Sequence, residues 1–283
     1  MAIDTSFLKK LDRFDLILQR KVNSNYMGER RSEAHGSGII LKDYVQYTPG
    51  DDFRRIDWRV FARTDKLYSR RFEEERNLTL HVIIDSSASM NFGKPKKFEY
   101  ASMLGLGFAY ISLRNNERFV ISTFAEKLEF IRPKKGMRQL ASVVQVLNDK
   151  RPSGSSELSA AMRRYQKRMV RSHSLIVIIS DFLYDLEQIK ATLATFQGHE
   201  VTLVQVLDEV EATLDLSGDF RLVDSESQET MRTYISPLLR KKYGEMMEDH
   251  QGKIKDACAQ YGAKFFSSTN SDDIFDTFFK ILG

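Results

Sequence analysis

Two apolar runs that each lead into an aspartate constrain this chain more than any other feature. The first is Leu78-Thr79-Leu80-His81-Val82-Ile83-Ile84, followed at once by Asp85-Ser86-Ser87-Ala88-Ser89. The second is Ser174-Leu175-Ile176-Val177-Ile178-Ile179, followed by Ser180-Asp181. Short, continuous, β-branched runs of this kind read as strands buried on both faces, as in a parallel sheet. Parallel strands need crossover connections, so the chain should form an α/β layer structure with helices on both faces of the sheet. Ligands of such sheets gather beyond the carboxyl ends of the strands, where both aspartates fall.

Asp85, Ser87 and Ser89 stand at alternate positions and offer only oxygen. That donor type suits a hard divalent cation, Mg²⁺ or Mn²⁺, and not zinc. Read alone, the same residues also make an Asp/Ser-rich turn that caps the next helix. A third stretch, Gly154-Ser155-Ser156-Glu157-Leu158, is a turn opening a helix, and in a parallel sheet all three loops can converge. The set Asp85, Ser87, Ser89, Ser156 and Asp181 resembles the metal-ion-dependent adhesion site of von Willebrand factor A domains. That family has DxSxS, then a Thr in a GGT-like loop, then an Asp ending a later strand. Here Ser156 takes the place of the Thr, keeping the hydroxyl and losing the methyl. The resemblance implies one bound divalent cation with Ser87, Ser89 and Ser156 as direct ligands, and Asp85 and Asp181 acting largely through bound waters. It also implies an open coordination position that an Asp or Glu of a partner protein fills.

The stretch before the first strand is loop-rich, dense in both charges, and holds the only Trp. It contains Gly28-Glu29-Arg30-Arg31-Ser32, then Pro49-Gly50-Asp51-Asp52-Phe53-Arg54-Arg55-Ile56-Asp57-Trp58, then Arg63 and the acidic run Glu73-Glu74-Glu75. Pro49-Gly50 marks a tight turn. From the residues alone, Asp51, Asp52 and Asp57 would neutralise Arg54, Arg55 and Arg63 in an ion-pair web, with Trp58 as apolar anchor. The alternative is a docking surface, because Arg and Trp are favoured interface anchors. The order PGDD-R-IDW-AR, an acidic stretch, then D-S-SM resembles the bacterial family known as domain of unknown function 58, over about residues 28–226. In that family the flank precedes a von Willebrand A-like domain. Membership implies a chaperone-like or assembly companion of a MoxR-type AAA+ ATPase.

Several function classes lack their scaffold. There is no GxxxxGK[ST] loop, no HExxH and no GxSxG elbow, and the five histidines are scattered. An Asp ending the first strand can be a nucleophile in phosphoryl transfer, but such phosphatases carry a second Asp two residues on. Here that position is Ser87, which cannot act as a general acid near neutral pH. We therefore expect a binding module and not an enzyme, with a metal-dependent phosphohydrolase using Asp85 as the alternative. The net charge of +4 is spread over both signs, so nucleic acid is not an expected partner, and the basic stretch from Arg54 to Arg71 is the one place for it. The single cysteine, Cys258, and the lack of a signal core or of ~20 consecutive apolar residues lead us to expect a cytoplasmic protein without a membrane span.

Periodicity predicts an amphipathic helix over 6–22, carrying Phe7, Leu8, Leu11, Phe14, Leu18 and Val22. Further helices are predicted at 98–113, 140–147, 157–169, 186–196, 238–261 and 272–282. Strands are predicted at 118–124 and 128–131 as an antiparallel edge pair, and at 201–207 and 264–267. Turn signals at Gly218-Asp219 and Glu226-Ser227-Gln228 predict a β-hairpin insertion within 215–235. Gly105-Leu106-Gly107 inside a helix follows no strand, so it reads as close helix–sheet packing and not as a dinucleotide fingerprint. The expected whole is α/β: residues 77–283 form a doubly wound, mostly parallel, von Willebrand A-like domain with a hairpin insertion, and residues 1–76 form a flank packed on it.

Overall fold

The computed structural model describes residues 36–48, 51–72, 79–115, 117–131, 136–225 and 229–282. The helix expected at 6–22, the Pro49-Gly50 turn and the run Glu73-Glu74-Glu75 lie outside them. The chain divides into two compact units, whose described residues are 36–72 and 79–282.

In the smaller unit, strand β1 (Gly36–Gln46) pairs antiparallel with β2 (Tyr68–Phe72), with Tyr44 opposite Arg70 and Gln46 opposite Tyr68. A 3₁₀ turn, Phe53–Arg55, and helix α1 (Trp58–Thr64) connect them. The acidic residues start these turns. Asp52 accepts from the Arg54 N–H at 3.0 Å, and Asp57 Oδ1 accepts from the N–H groups of Arg59 and Val60 at 2.9 and 3.3 Å. Asp51 accepts from the N–H and hydroxyl of Thr48 at 3.0 and 2.9 Å. The ion-pair web expected from the sequence is thus largely a set of caps. Asp57 takes Arg70 at 3.8 Å, and not Arg54, Arg55 or Arg63. The reason is local: an Asp beside a turn meets backbone N–H groups before any guanidinium reaches it. Trp58 is not the apolar anchor. It opens α1, is 60% exposed and meets Phe61 edge-on, while Ile56 is buried.

The larger unit is built on a six-stranded sheet in the order β10-β7-β6-β3-β4-β5. Its strands are β3 (Thr79–Asp85), β4 (Arg118–Phe124), β5 (Leu128–Phe130), β6 (Ser174–Ser180), β7 (Glu200–Leu207) and β10 (Lys264–Thr269). All pairings are parallel except β4 with β5, which makes an antiparallel edge. This is the doubly wound, mostly parallel α/β architecture expected from the sequence. The predicted insertion is the ribbon β8 (Gly218–Val223) and β9 (Thr230–Ile235).

Alternation along β3 divides the core. Ile83 faces one layer with Leu158, Met162 and Tyr165 of α4 (Leu158–Met169), Ile189 and Leu193 of α5 (Leu186–Thr195), and Ile254 and Cys258 of α7 (Pro237–Gln260). Val82 and Ile84 face α2 (Lys97–Arg114), which packs beside α3 (Met137–Asp149) and α8 (Ile274–Leu282). A Cβ at Gly105 would lie 2.8 Å from the Ile84 side chain, and one at Gly107 would run into the Phe278 ring. The paired glycines of α2 thus serve packing, on the sheet and on α8. A short helix absent from the sequence reading, α6 (Glu209–Thr213), follows β7 and carries a capping box of Asp208 and Glu211.

Candidate metal and partner site

Strand order turns between β3 and β6. From β3 the sheet runs to β4 and β5 on one side, and from β6 to β7 and β10 on the other. That turning point opens a crevice at the carboxyl ends of the two strands. Ile84 and Ile179 are in register, which brings Ser180 level with Asp85 and Asp181 one residue beyond it; both aspartates are buried.

A continuous chain of hydrogen bonds joins the two aspartates. The Ser87 N–H donates to Asp85 Oδ1 at 2.8 Å, the Ser87 and Ser89 hydroxyls meet at 3.1 Å, and Ser89 donates to Asp181 Oδ2 at 2.6 Å. Asp85 Oδ2 accepts from Ser180 at 2.7 Å and from the Tyr184 phenol at 2.5 Å. The phenol has one proton, which the carboxylate takes, so Ser156 donates to the phenol oxygen at 2.5 Å. The Ser156 loop is tied to the first loop by backbone bonds, Ala88 N–H to Gly154 carbonyl at 2.8 Å and Ser153 N–H to Ser86 carbonyl at 3.0 Å. Gly154 makes that turn at φ +77°, a conformation L side chains rarely adopt.

On the far side Lys97, fully buried, donates to Asp181 Oδ2 at 3.0 Å and to Glu211 at 2.7 Å. Behind it Asn270 bridges the Pro95 carbonyl at 2.6 Å and Asp208 at 2.8 Å. The segments around 95–97, 208–211 and 270 thereby close a ring against the site.

Burial, and next the charge of Asp181, push the Asp85 carboxyl up to about 6, against the pull of Tyr184, Ser87 and Ser180. Burial disfavours the Lys97 ammonium, but Asp181 and Glu211 outweigh it and hold its pKa above the ordinary lysine value. Burial also raises Glu211, with Lys97 pulling the other way. Three carboxyl groups, Asp85, Asp181 and Glu211, thus meet a single ammonium, an acidic excess in a buried site. This donor set fits one hard divalent cation: it is all oxygen, and a dication balances the surplus charge. Among the described residues no three His, Cys, Asp or Glu side chains gather as a metal cage, so such an ion would rely on hydroxyls and water. Mg²⁺, which keeps several waters, suits that arrangement.

The structure brings Asp85, Ser87, Ser89 and Asp181 into one cluster, and Ser156 joins it through Tyr184. Asp51, Asp52, Arg54, Asp57, Trp58 and Arg63 belong to the other compact unit. Sequence reasoning missed Lys97, Ser180, Tyr184 and Glu211. Lys97 left a trace, because a lysine at the first position of a helix is the wrong charge for that end of the helix dipole. Asp208-Glu209-Val210-Glu211 also has capping-box spacing, an acid followed three residues later by Glu. Tyr184 left none: it follows Phe182, whose φ of +49° turns the chain back, and no local pattern announces it.

A family model described as "Protein of unknown function DUF58" matches residues 43–253, taking in both the Asp57-Trp58 flank and the strands from β3 to β9. The chain belongs to the DUF58 family. The uncharacterized protein Rv1480 of Mycobacterium tuberculosis is 25% identical over 276 residues, covering 95% of this chain and 87% of that protein. The uncharacterized protein Mb1516 of Mycobacterium bovis is likewise 25% identical over 276 residues, with 95% and 87% covered. Among solved structures, the chain is similar to the conserved hypothetical protein BatB from Bacteroides thetaiotaomicron, at 14% identity and a TM-score of 0.44, over 72% of this chain and 98% of that one. It is also similar to the vWF domain of a type V pili tip protein from Porphyromonas gingivalis, at 12% identity and a TM-score of 0.41, over 72% of this chain and 93% of that one. DUF58 membership rests on the sequence match alone. Among the described residues of this DUF58 protein no helix is long and apolar enough to cross a membrane.

Proposed function

We propose that this chain is a protein-interaction module that binds one divalent cation, Mg²⁺ or Mn²⁺, in the crevice between β3 and β6 and uses it to capture a carboxylate of a partner. The observation that carries the proposal is the gathering of Asp85 and Asp181 about the Ser87 and Ser89 hydroxyls, with Lys97 the one cation that meets them among the described residues. Ser87 and Ser89 would hold the ion, with Asp85 and Asp181 around it and Ser156 adjoining through Tyr184. The ion would supply electrophilicity: with neutral hydroxyls as its nearest protein ligands it keeps most of its charge for an incoming Asp or Glu. The chain's own residues hold the hydroxyls in place and exclude bulk water from the two aspartates.

Binding is favoured over phosphoryl transfer by the state of Asp85. Its carboxylate is fully buried and accepts from Ser87, Ser180 and Tyr184, which leaves no oxygen poised to attack a phosphorus. A MoxR-type AAA+ ATPase as the partner, in the cytoplasm, is supported by the family resemblance of the flank around Asp51, Asp52, Arg54, Asp57, Trp58 and Arg63. Titration of Mg²⁺ and Mn²⁺ against thermal stability tests the ion, because a ligand of the folded state must raise the melting temperature. The wild type should respond and Ser87→Ala should not. A flat response of the wild type at millimolar concentrations refutes the site, and partner capture that survives both EDTA and Ser87→Ala refutes its use.

A further inference from the structure

Three segments meet at the crevice: the end of β3, the loop 153–157 before α4, and the loop after β6. Tyr184 joins all three. It belongs to the third, donates to Asp85 of the first at 2.5 Å, and accepts from Ser156 of the second at 2.5 Å. Its backbone is held on both sides. Phe182, two residues before, is fully buried, and its carbonyl meets a ring nitrogen of His250 of α7 at 2.9 Å. Helix α5 begins two residues after, and the Tyr184 ring packs on the core layer of α4, α5 and α7.

The phenol settles where the Ser156 proton goes. A serine hydroxyl has one proton and two lone pairs. Asp85 draws the phenol proton, the phenol oxygen draws the Ser156 proton, and both lone pairs of Ser156 stay free. Among the described residues Tyr184 is the one hydrogen-bond partner of that hydroxyl. A serine has three staggered χ1 positions and, unlike threonine, no second branch to select among them. The bond to Tyr184 makes the selection here. Asp85 does not depend on the phenol for a donor, since the Ser87 N–H serves one of its oxygens and the Ser180 hydroxyl the other. What the phenol adds is the link to Ser156.

We propose that Tyr184 is the positioning residue of the ion site: it turns the Ser156 proton away from the ion and presents the Ser156 lone pairs as a third hydroxyl ligand beside Ser87 and Ser89. This role rests on the ion site proposed above and adds to it the group that orients one of its ligands. A hydrogen-bond partner behind a metal ligand fixes its orientation and raises its basicity, and losing such a partner commonly costs about 10–100-fold in metal affinity. A phenol that held Ser156 off the ion would give the opposite sign, so the test is directional.

The test uses the full chain and Mn²⁺, with the free ion followed by electron paramagnetic resonance and urea midpoints without metal as the control. Tyr184→Phe keeps the ring and removes the link. It should bind Mn²⁺ about tenfold more weakly or worse. Ser156→Ala should lose a similar factor, and Tyr184→Phe/Ser156→Ala should bind no more weakly than Ser156→Ala, because the two groups act as a unit. Tyr184→Phe/Ser156→Thr should regain affinity over Tyr184→Phe, since a branched side chain restricts χ1 unaided. Equal or tighter binding by Tyr184→Phe overturns the proposal, as does full additivity in the double variant or no recovery with threonine. A lower urea midpoint in Tyr184→Phe with unchanged Mn²⁺ affinity makes the residue structural and overturns it as well. A wild type that takes up no Mn²⁺ refutes the ion site itself and this role with it, whereas any of the other outcomes, with a wild type that binds, refutes the role of Tyr184 alone.

Discussion

Replacing Lys97 with methionine tests how the buried charges of the crevice are balanced. The change keeps the length and apolar stem of the side chain and removes only the ammonium. In the wild type that ammonium is fully buried and satisfies two carboxylates, Asp181 with a side chain 4% exposed and Glu211 with one 21% exposed. Removing one partner of a buried pair leaves the other charge uncompensated and costs about 3–5 kcal/mol. Here two acids are stranded, and Asp85 is a third negative group nearby, so the upper part of that range is expected. Against a total stability of about 5–15 kcal/mol the loss is large but leaves a folded protein to measure. Urea unfolding without divalent ions should show the loss in the midpoint. Millimolar Mg²⁺ should then raise the midpoint of Lys97→Met by more than that of the wild type, because the cation enters a site with one more negative charge. Glu211→Gln should cost less, since Lys97 keeps Asp181. A Lys97→Met protein as stable as the wild type without metal would mean that the cost of burying the ammonium cancels its attraction. Loss of stability without the extra response to Mg²⁺ would refute the charge balance from which the ion is proposed.

Three further outcomes follow from other parts of the molecule. Burial, and then His199, push His81 down from 6.5 to about 4, so the folded state refuses a proton the unfolded chain accepts; this contribution is full above pH 6.5 and is lost as pH falls through 4. Asp85 is raised from 3.8 to about 6, so its contribution is full below 3.8 and is lost as pH rises through 6. Each is worth on the order of 3 kcal/mol and they oppose each other. Urea midpoints of the wild type should change little across that window, while Asp85→Asn should lose stability on acidification and His81→Asn should gain it. Trp58→Ala should shift the urea midpoint by no more than about 0.5 kcal/mol, as for most exposed sites, whereas Asp57→Ala, which strips two N–H groups, the Tyr44 hydroxyl and Arg70 of their acceptor, should shift it clearly further; the reverse order would make Trp58 a structural anchor. Gly107→Ala should lower the melting temperature, since a Cβ there meets Phe278 and overpacking costs about 1–3 kcal/mol. Gly252→Ala on α7, where nothing lies within 4 Å, should raise it, by about 0.5–1 kcal/mol from helix propensity.

The parts legible in the sequence are those whose signal is local. The runs 79–84 and 174–179 announce β3 and β6, because β-branched residues buried on both faces leave no alternation to misread. The runs 220–223 and 230–234 announce the ribbon, although Gly218-Asp219, which read as a turn, are the first residues of β8, and the glycines of α2 declare a close approach before its partner is known. The flank was misread because opposite charges near in sequence suggest pairing, while Asp52 and Asp57 were committed to the backbone by the turns they begin. In the crevice, the Asp/Ser loop and Asp181 are visible as pattern. Lys97, Tyr184 and Glu211 join them only because α2, the loop after β6, and α6 meet in three dimensions. A side chain whose partner lies 84 or 114 residues away leaves no periodic trace.

The two strands that carry the site are the innermost pair of the sheet, flanked by β4 and β7. A partner that pulls on the crevice therefore does not tug at an edge, where hydrogen bonds open one after another like a zip. The tension enters β3 and β6 along their length and is shared with both neighbours, so many ladder bonds must give way together. The Pro95–Asn270–Asp208 link anchors the same point to α2, α6 and the end of β10, which brings the helical layers in as a second bearing. The crevice sits at the middle of the sheet, and a grip made there would load many ladder bonds at once.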